Sequence, residues 1–172
     1  AVGGRRILTI PPDMGYGDSG SGSGSIGPNE TLVFIVDLRA AVPSDLEKPN
    51  VSIAGGATEE LLLEDLIEGT GRTATPGDVL YIHYVGVSQS TGQQFDSSWD
   101  RGRSEFIGLI AGAGNVIKGL DEGLIGMKVG GRRNLVIPPS LAYGENGAGG
   151  GVIAPNETLV FTVDLLGAQP FG

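Results

Sequence analysis

Cysteine is absent from the 172 residues. The chain therefore has no disulfide framework and no thiolate ligand or nucleophile, and its redox compartment is left open. Histidine is nearly absent: His83 stands alone. No Ser-His-acid set and no cluster of metal ligands can be assembled around it from the neighbouring sequence, so it reads as a structural strand histidine. Basic residues are few, with 11 Lys and Arg against 20 Asp and Glu, a net charge of −9 and a pI near 4.4. That balance argues against nucleic acid and against adsorption to anionic lipid. No apolar run approaches the roughly 18–20 residues of a membrane-spanning helix. The sequence opens at Ala1-Val2 inside a strand-like pattern, which reads as a cut or processed product.

What the chain has in excess is glycine, at 31 residues with no Gly-X-Y period, which marks a loop-rich globular protein and not a fibrous one. Hydrophobic residues make up 40% of the sequence and can support a core. The length suits one ordinary domain better than two.

The second excess is internal repetition. Val2–Leu38 aligns without a gap on Val129–Leu165, with 25 of 37 positions identical. The shared words include Val-Gly-Gly-Arg-Arg (2–6 and 129–133), Ile-Pro-Pro (10–12 and 137–139) and Pro-Asn-Glu-Thr-Leu-Val-Phe (28–34 and 155–161). Only the second copy follows a long globular segment. The expected organisation is a C-terminal fragment of a preceding repeat at 1–40, a linker at 41–60 and a complete domain at 61–172.

Within the first copy, 5–11 and 30–38 read as strands, and Leu32, Phe34, Val36 and Leu38 share one face. Two strands cannot bury a core unaided, so this segment must dock on something or stay partly unstructured. Residues 39–60 have Pro43, Pro49 and mixed charge without a period, which is linker composition. From Leu61 the pattern becomes regular. VLYIHYVGV (79–87) alternates, with Leu80, Ile82 and Tyr84 on one face and Tyr81, His83 and Val85 on the other. A hairpin tip at 90–92 precedes QQFDSSWDR. Asn115 caps an expected helix over 115–125 that ends at Gly126. Gly119 and Gly123 each weaken that helix by about 1 kcal/mol relative to Ala, so packing must hold it. Strand, glycine loop and strand follow. The fold class is α+β, an antiparallel sheet packed on one short helix.

The glycine-dense loop 144–151 lacks the Gly-Lys-Ser/Thr and the strand–loop–helix setting of a phosphate cradle. Asp121 and Glu122 read as a solvated face. The aromatics are more distinctive for the words they sit in: His-Tyr-Val-Gly (83–86), Phe-Asp-Ser-Ser (95–98) with Asp100-Arg101, Val-Ile-Lys-Gly-Leu-Asp-Glu-Gly-Leu (116–124), Gly-Met-Lys-Val-Gly-Gly (126–131), Ala-Tyr-Gly (142–144) and Thr-Leu-Val-Phe-Thr-Val-Asp-Leu-Leu (158–166). In this order and spacing, 61–166 closely resembles the FK506-binding protein (FKBP) family of peptidyl-prolyl cis-trans isomerases. The arrangement resembles tandem FKBP proteins of bacteria, often extracytoplasmic, though a cytoplasmic compartment stays open.

The resemblance implies a twisted sheet half-wrapped around the helix, with an apolar pocket between them. It implies catalytic roles for Asp96, Tyr143 and Phe95. Substrate would be bound by Tyr84, Arg101, Phe106, Val116, Ile117, Leu120, Ile153 and Phe161. Many members carry Trp where this chain has Leu120, which implies a roomier floor. Ala154-Pro155 stands where Pro-Pro is usual. Segment 102–111 is about two residues longer than in common members, and loop 144–151 about one longer. The implied ligands are proline-containing peptides or unfolded proteins, with FK506-like macrolides as a second class. No cofactor and no metal are implied. Rotating a peptide bond costs about 18–20 kcal/mol in lost resonance, and an apolar pocket lowers that barrier without a nucleophile. The rival reading is a binding or chaperone module with little turnover, to which Leu120 points. For 1–40, the repeat suggests strand exchange with 129–165 or self-association with another chain.

Overall fold

The computed structural model describes residues 2–53, 56–103 and 106–171. The chain divides into two compact units, 1–39 and 40–172.

The first unit is a single hairpin. Strand β1 (Arg5–Ile10) pairs antiparallel with β2 (Leu32–Asp37), from Arg5 opposite Asp37 to Ile10 opposite Leu32. Pro11-Pro12 ends β1, because proline has no N–H to continue a ladder. Two 3-10 turns, Pro12–Met14 and Gly17–Ser19, carry the chain back. The Arg5 guanidinium clasps both carboxylate oxygens of Asp37 at 2.6 and 2.9 Å.

The second unit contains β3 (Leu62–Ile67), β4 (Asp78–Ser88), β5 (Gln94–Ser97), β6 (Ile107–Ile110), α1 (Lys118–Gly123), β7 (Arg132–Ile137) and β8 (Leu159–Pro170). These strands form one antiparallel sheet in the order β3-β7-β8-β4-β5, with β6 also on β4. The long β4 and β8 lie at its centre, paired from Asp78 opposite Pro170 to Ser88 opposite Leu159. The alternation of β4 sorts its side chains as read from the sequence. Leu80, Ile82 and Tyr84 enter the main core with Leu124 and Leu135, whereas Val85 and Val87 pack on the other face against Val136 and Val160.

The helix is shorter than expected. It begins after Ile117, whose backbone is extended at φ −57° and ψ 144°, and Asn115 is not its cap. Residues 115–117 therefore lie outside the helix, free to face the core side of the sheet. Asp121 does not lie on a solvated face. It is buried, and its carboxylate accepts the N–H groups of Gly112 and Gly114 at 2.7 and 2.8 Å. Those two bonds clamp the loop that delivers 115–117.

The two helix glycines have a packing reason. A β-carbon on Gly119 would meet Ile137 Cγ2 at 2.3 Å, and one on Gly123 would meet Leu135 Cδ2 at 2.1 Å. The helix therefore lies directly against β7, closer than any side chain on those positions allows.

The described residues of 40–60 form no helix or strand, yet several of them are held by packing and hydrogen bonds. Pro49 is buried, Val51 packs on the outer cluster, and Arg132 donates to the Glu47 carbonyl at 2.8 Å. Lys48 pairs with Asp100, and Arg103 donates to the Pro43 carbonyl. Segment 43–53 is thus a strap on the outer face of the sheet, although its composition is that of a linker.

One ion pair occurs twice in different surroundings. Arg132 clasps Asp164 at 2.6 and 3.0 Å, as Arg5 clasps Asp37. Hydrogen bonding from Arg5 holds the Asp37 carboxyl below its ordinary value. Burial pushes Asp164 above its own, and the hydrogen bond from Arg132 only partly offsets this.

Two predictions follow from this packing. Gly123→Ala should lower stability in urea denaturation by about 1–3 kcal/mol through overpacking, although alanine is the better helix former. Carboxyl-carbon NMR titration should place Asp37 below and Asp164 above the ordinary value of about 3.9. The sign follows from linkage: the stability contributed by Asp37 is lost as pH falls, whereas protonation of Asp164 at low pH relieves a cost.

Candidate active site

A cavity of about 240 Å³ opens between the sheet and the helix. Its walls come from six parts of the chain. Strand β4 supplies Ile82 and Tyr84, and β5 supplies Phe95 and Asp96. The approach to the helix supplies Asn115, Val116 and Ile117, and Leu120 of α1 forms the buried floor. Phe161 of β8 closes one wall, Ile107 and Leu109 of β6 another, and Tyr143 stands half-exposed at the rim.

The aromatic wall is interlocked. Phe95 meets Phe161 edge-on at 5.5 Å between ring centroids, and Tyr84 lies 6.0 Å from Phe161. Gly86 makes room for this, because a β-carbon there would meet Phe95 at 2.6 Å and Phe161 at 2.9 Å.

One polar triad sits at the edge of that apolar surface. The Tyr84 hydroxyl donates to Asp96 Oδ2, and Arg101 donates to Asp96 Oδ1 at 3.0 Å. Arg101 also reaches the Tyr84 hydroxyl at 3.3 Å, and the Ser97 N–H donates to Asp96 Oδ1 at 2.7 Å. Burial pushes the Asp96 carboxyl up, but the hydrogen bonds from Tyr84, Arg101 and Ser97 outweigh it and bring the group below its ordinary value. Burial and then the Asp96 contact push the Tyr84 phenol up, so it stays a donor. Asp96 is therefore an ionised acceptor held in place by three donors.

Behind the triad, on the outer face, His83 is fully buried and stacked on Trp99 at 4.2 Å. Its Nε2 lies 2.8 Å from the Arg103 carbonyl, which can only accept, so Nδ1 accepts from the Ser98 hydroxyl at 2.8 Å. This braces 98–103, the segment that carries Arg101.

Eight of the eleven residues singled out from the sequence line the cavity: Tyr84, Phe95, Asp96, Val116, Ile117, Leu120, Tyr143 and Phe161. Arg101 acts one step back, through Asp96 and Tyr84. Ile153 is in the core, bridged to Ala148, and does not line the cavity. Phe106 turns the other way. It packs edge-on against Tyr81 at 5.8 Å and His83 at 6.3 Å on the outer face. The reason is register: Ile107 opposes Ile82 and Leu109 opposes Leu80, so those two face inward and Phe106 faces out. Of segment 102–111, residues 104 and 105 lie outside the described residues. Sequence reasoning passed over Ile82, Ile107, Leu109 and Asn115. Ile82 was legible, since it shares the face of Tyr84, but the β6 pair needed the pairing partner.

The sequence profile of the FKBP-type peptidyl-prolyl cis-trans isomerase family matches residues 1–39 and 70–166. The chain belongs to this family. It is 53% identical over 122 residues to an FK506-binding protein of Streptomyces anulatus, covering 70% of this chain and 97% of that one. It is 38% identical over 167 residues to the peptidyl-prolyl cis-trans isomerase FKBP9 of Homo sapiens, covering 96% of this chain and 26% of that one. Among solved structures, FkpA from Escherichia coli matches with a TM-score of 0.57 and 35% identity, over 72% of this chain and 54% of that one. The antiparallel sheet with its single short helix is thus the FKBP fold, and the activity of the family is isomerisation of Xaa-Pro peptide bonds.

The triad predicts an acid limb in the stability of this FKBP-type domain. A carboxyl lowered by folding contributes fully above its unfolded value of about 3.9, and the contribution is lost as pH falls through the folded value. Asp96→Asn should flatten that limb below about pH 4 in acid titrations followed by circular dichroism, whereas Tyr84→Phe should flatten it only in part.

Proposed function

We propose that the cavity is the isomerase site and that it works by desolvation and orientation. A planar peptide bond is strongly dipolar, and rotation destroys its resonance. Water therefore stabilises the planar ground state more than the twisted transition state. Moving the bond into an apolar cavity removes that preference, and each 1.4 kcal/mol or so of differential stabilisation is worth about tenfold in rate.

In this reading Phe95, Val116, Ile117, Leu120 and Phe161 pack the proline ring. The Tyr143 hydroxyl and the Ile117 N–H hold substrate carbonyls. Asp96 stays ionised beside Arg101 and faces the rotating amide, and Tyr84 locks its orientation. The observation that carries the reading is the pairing of an aromatic wall with one hydrogen-bonded carboxylate at its edge. Ile153 supports the wall from behind.

The substrates are proline-containing segments of peptides and unfolded proteins, and FK506-like macrolides would compete for the same surface. A second reading, a binding module with little turnover, is favoured by one feature: Leu120 leaves the floor less filled than a larger aromatic would.

We also propose a tandem organisation in which 1–40 is the closing hairpin of another FKBP-type repeat, 41–60 connects and 61–172 is the complete domain. The family profile matches on both sides of the connecting segment, and the alignment with human FKBP9 runs across both units.

Exchange NMR on a short Xaa-Pro peptide tests the leading reading. Strong line-shape acceleration by the chain is expected, with Phe95→Ala reducing kcat/KM by about tenfold or more. Tyr143→Phe should reduce it several-fold. A folded chain that binds the peptide without accelerating it favours the binding module.

A further inference from the structure

The two copies of the repeated segment have the same local structure and opposite burial. With a constant offset of 127 residues, the register of β1 on β2 is that of β7 on β8: Arg5–Asp37 corresponds to Arg132–Asp164, and Ile10–Leu32 to Ile137–Leu159. Asn29 and Asn156 both have φ 56°. The Gly3 N–H bonds the Leu38 carbonyl at 2.7 Å, and the Gly130 N–H bonds the Leu165 carbonyl at 2.8 Å. Yet Leu135, Phe161 and Val163 are 0%, 5% and 0% exposed, whereas their counterparts Leu8, Phe34 and Val36 are 38%, 46% and 43% exposed.

The inward strand row of the second copy is unchanged in the first, whereas Leu141, Ala142 and Ala148, loop residues packed on the core, are replaced by Met14, Gly15 and Ser21. Leu8, Ile10, Leu32, Phe34, Val36 and Leu38 match the inward row Leu135, Ile137, Leu159, Phe161, Val163 and Leu165. Tyr16 matches the rim residue Tyr143, and Arg6 matches Arg133, which bonds Asp65 and the Gly123 carbonyl. Among the strand positions, substitutions fall on the outer face: Ile7 for Asn134, Thr9 for Val136 and Ile35 for Thr162. The chain thus carries two such hairpins and one platform, made of β3, β4 and α1, that fits them.

We propose that the hairpin β1–β2 is interchangeable with β7–β8, and that it occupies the β7–β8 position on the platform of its own chain in a minor, permuted state. The partner of the exposed apolar face is therefore residues 62–125 of the same molecule. The connection allows it. Leu165 hydrogen-bonds Gly130 and Gly131, beside Arg132, and Arg132 holds the strap at Glu47. With Leu38 in the place of Leu165, the nine residues from Leu38 to Glu47 (47 − 38) reach about 30 Å when extended, which leaves slack with the strap in place. The permuted domain would line its cavity with Tyr16 and Phe34. It is the minor state because eight residues (124–131) join α1 to β7, whereas twenty-four (38–61) join β2 to β3. The inference rests on the fold and the repeat, not on the isomerase reading, and its test needs no turnover.

Engineered disulfides in the full chain, which has no cysteine of its own, provide that test. Val85 opposes Thr162 across β4 and β8, so the permuted state puts Ile35 opposite Val85. Val85 is buried, so a cysteine there is shielded from chance encounters. Directly opposed strand residues are close enough for a disulfide. Three pairs are compared under oxidising shuffle: Val85→Cys with Ile35→Cys, Val85→Cys with Thr162→Cys as the positive control, and Val85→Cys with Ser23→Cys, an exposed loop site in the same unit. Exchange within the chain predicts a monomeric 35–85 disulfide that accumulates about tenfold or more above the Ser23 pair. Equality with the Ser23 pair, or disulfides found only between chains, overturns the proposal. A second arm uses Leu135→Asp, which places a carboxylate in the inner row of β7. The proposal expects slow hydrogen exchange to move from 129–165 to 2–38. An unfolded chain, or a folded one with 2–38 unprotected, overturns it.

Discussion

The separation between the helix and β7 is set by two missing side chains. Gly119 and Gly123 let the helix backbone lie on Ile137 and Leu135, and most of the site depends on that contact. It seats Leu120 at the cavity floor. It also places the N-terminal end of the helix where Val116 and Ile117 can face Phe161 across the gap. The six-residue helix has little intrinsic stability. Its persistence comes from this close packing and from Asp121, which ties the preceding loop to it.

The site combines two environments that oppose each other. Interlocked rings make the wall apolar, and an apolar wall disfavours a charged carboxylate. Asp96 stays ionised there because three donors converge on it and because Arg101 is braced from the outer face by the segment around Ser98 and Arg103. The strap at 43–53 reaches the same segment through Lys48 and Pro43. The outer face, which carries no part of the cavity, thus holds one edge of it in place.

The repeated hairpin separates local from tertiary causes within one molecule. Register, the first two 3-10 turns and the Arg–Asp clasp are the same in both copies, so they follow from the sequence of the segment itself. The acidity of the clasped aspartate is not a local property: it falls in Asp37 and rises in Asp164. The partner, the distance and the geometry are shared. What differs most is the water that burial removes from the ionised form, and Arg39 beside Asp37 adds a second lowering charge.

Much of the fold was legible from the chain alone. The period of two in 79–87 assigned both faces of β4, and the ordered words from His83 to Leu166 carried the family and most of the cavity residues. Asp96 and Arg101 were legible as neighbours in one word, but their convergence on Tyr84 was not. Phe106 and Ile107 show where such reading stops. Adjacent apolar residues at a strand end look alike in sequence, and only the pairing of β6 with β4 decides which one faces the cavity. Asp121 looked like a solvated helix residue until the loop before it supplied two N–H groups. The strap at 43–53 has the composition of a linker and is held by residues distant in sequence. The sequence by itself determined the local geometry of strands and turns, because backbone sterics and nearest neighbours suffice for these. Tertiary structure alone decided burial, the side-chain face at strand ends and the acidity of each carboxyl, because each depends on what another part of the chain takes away from water.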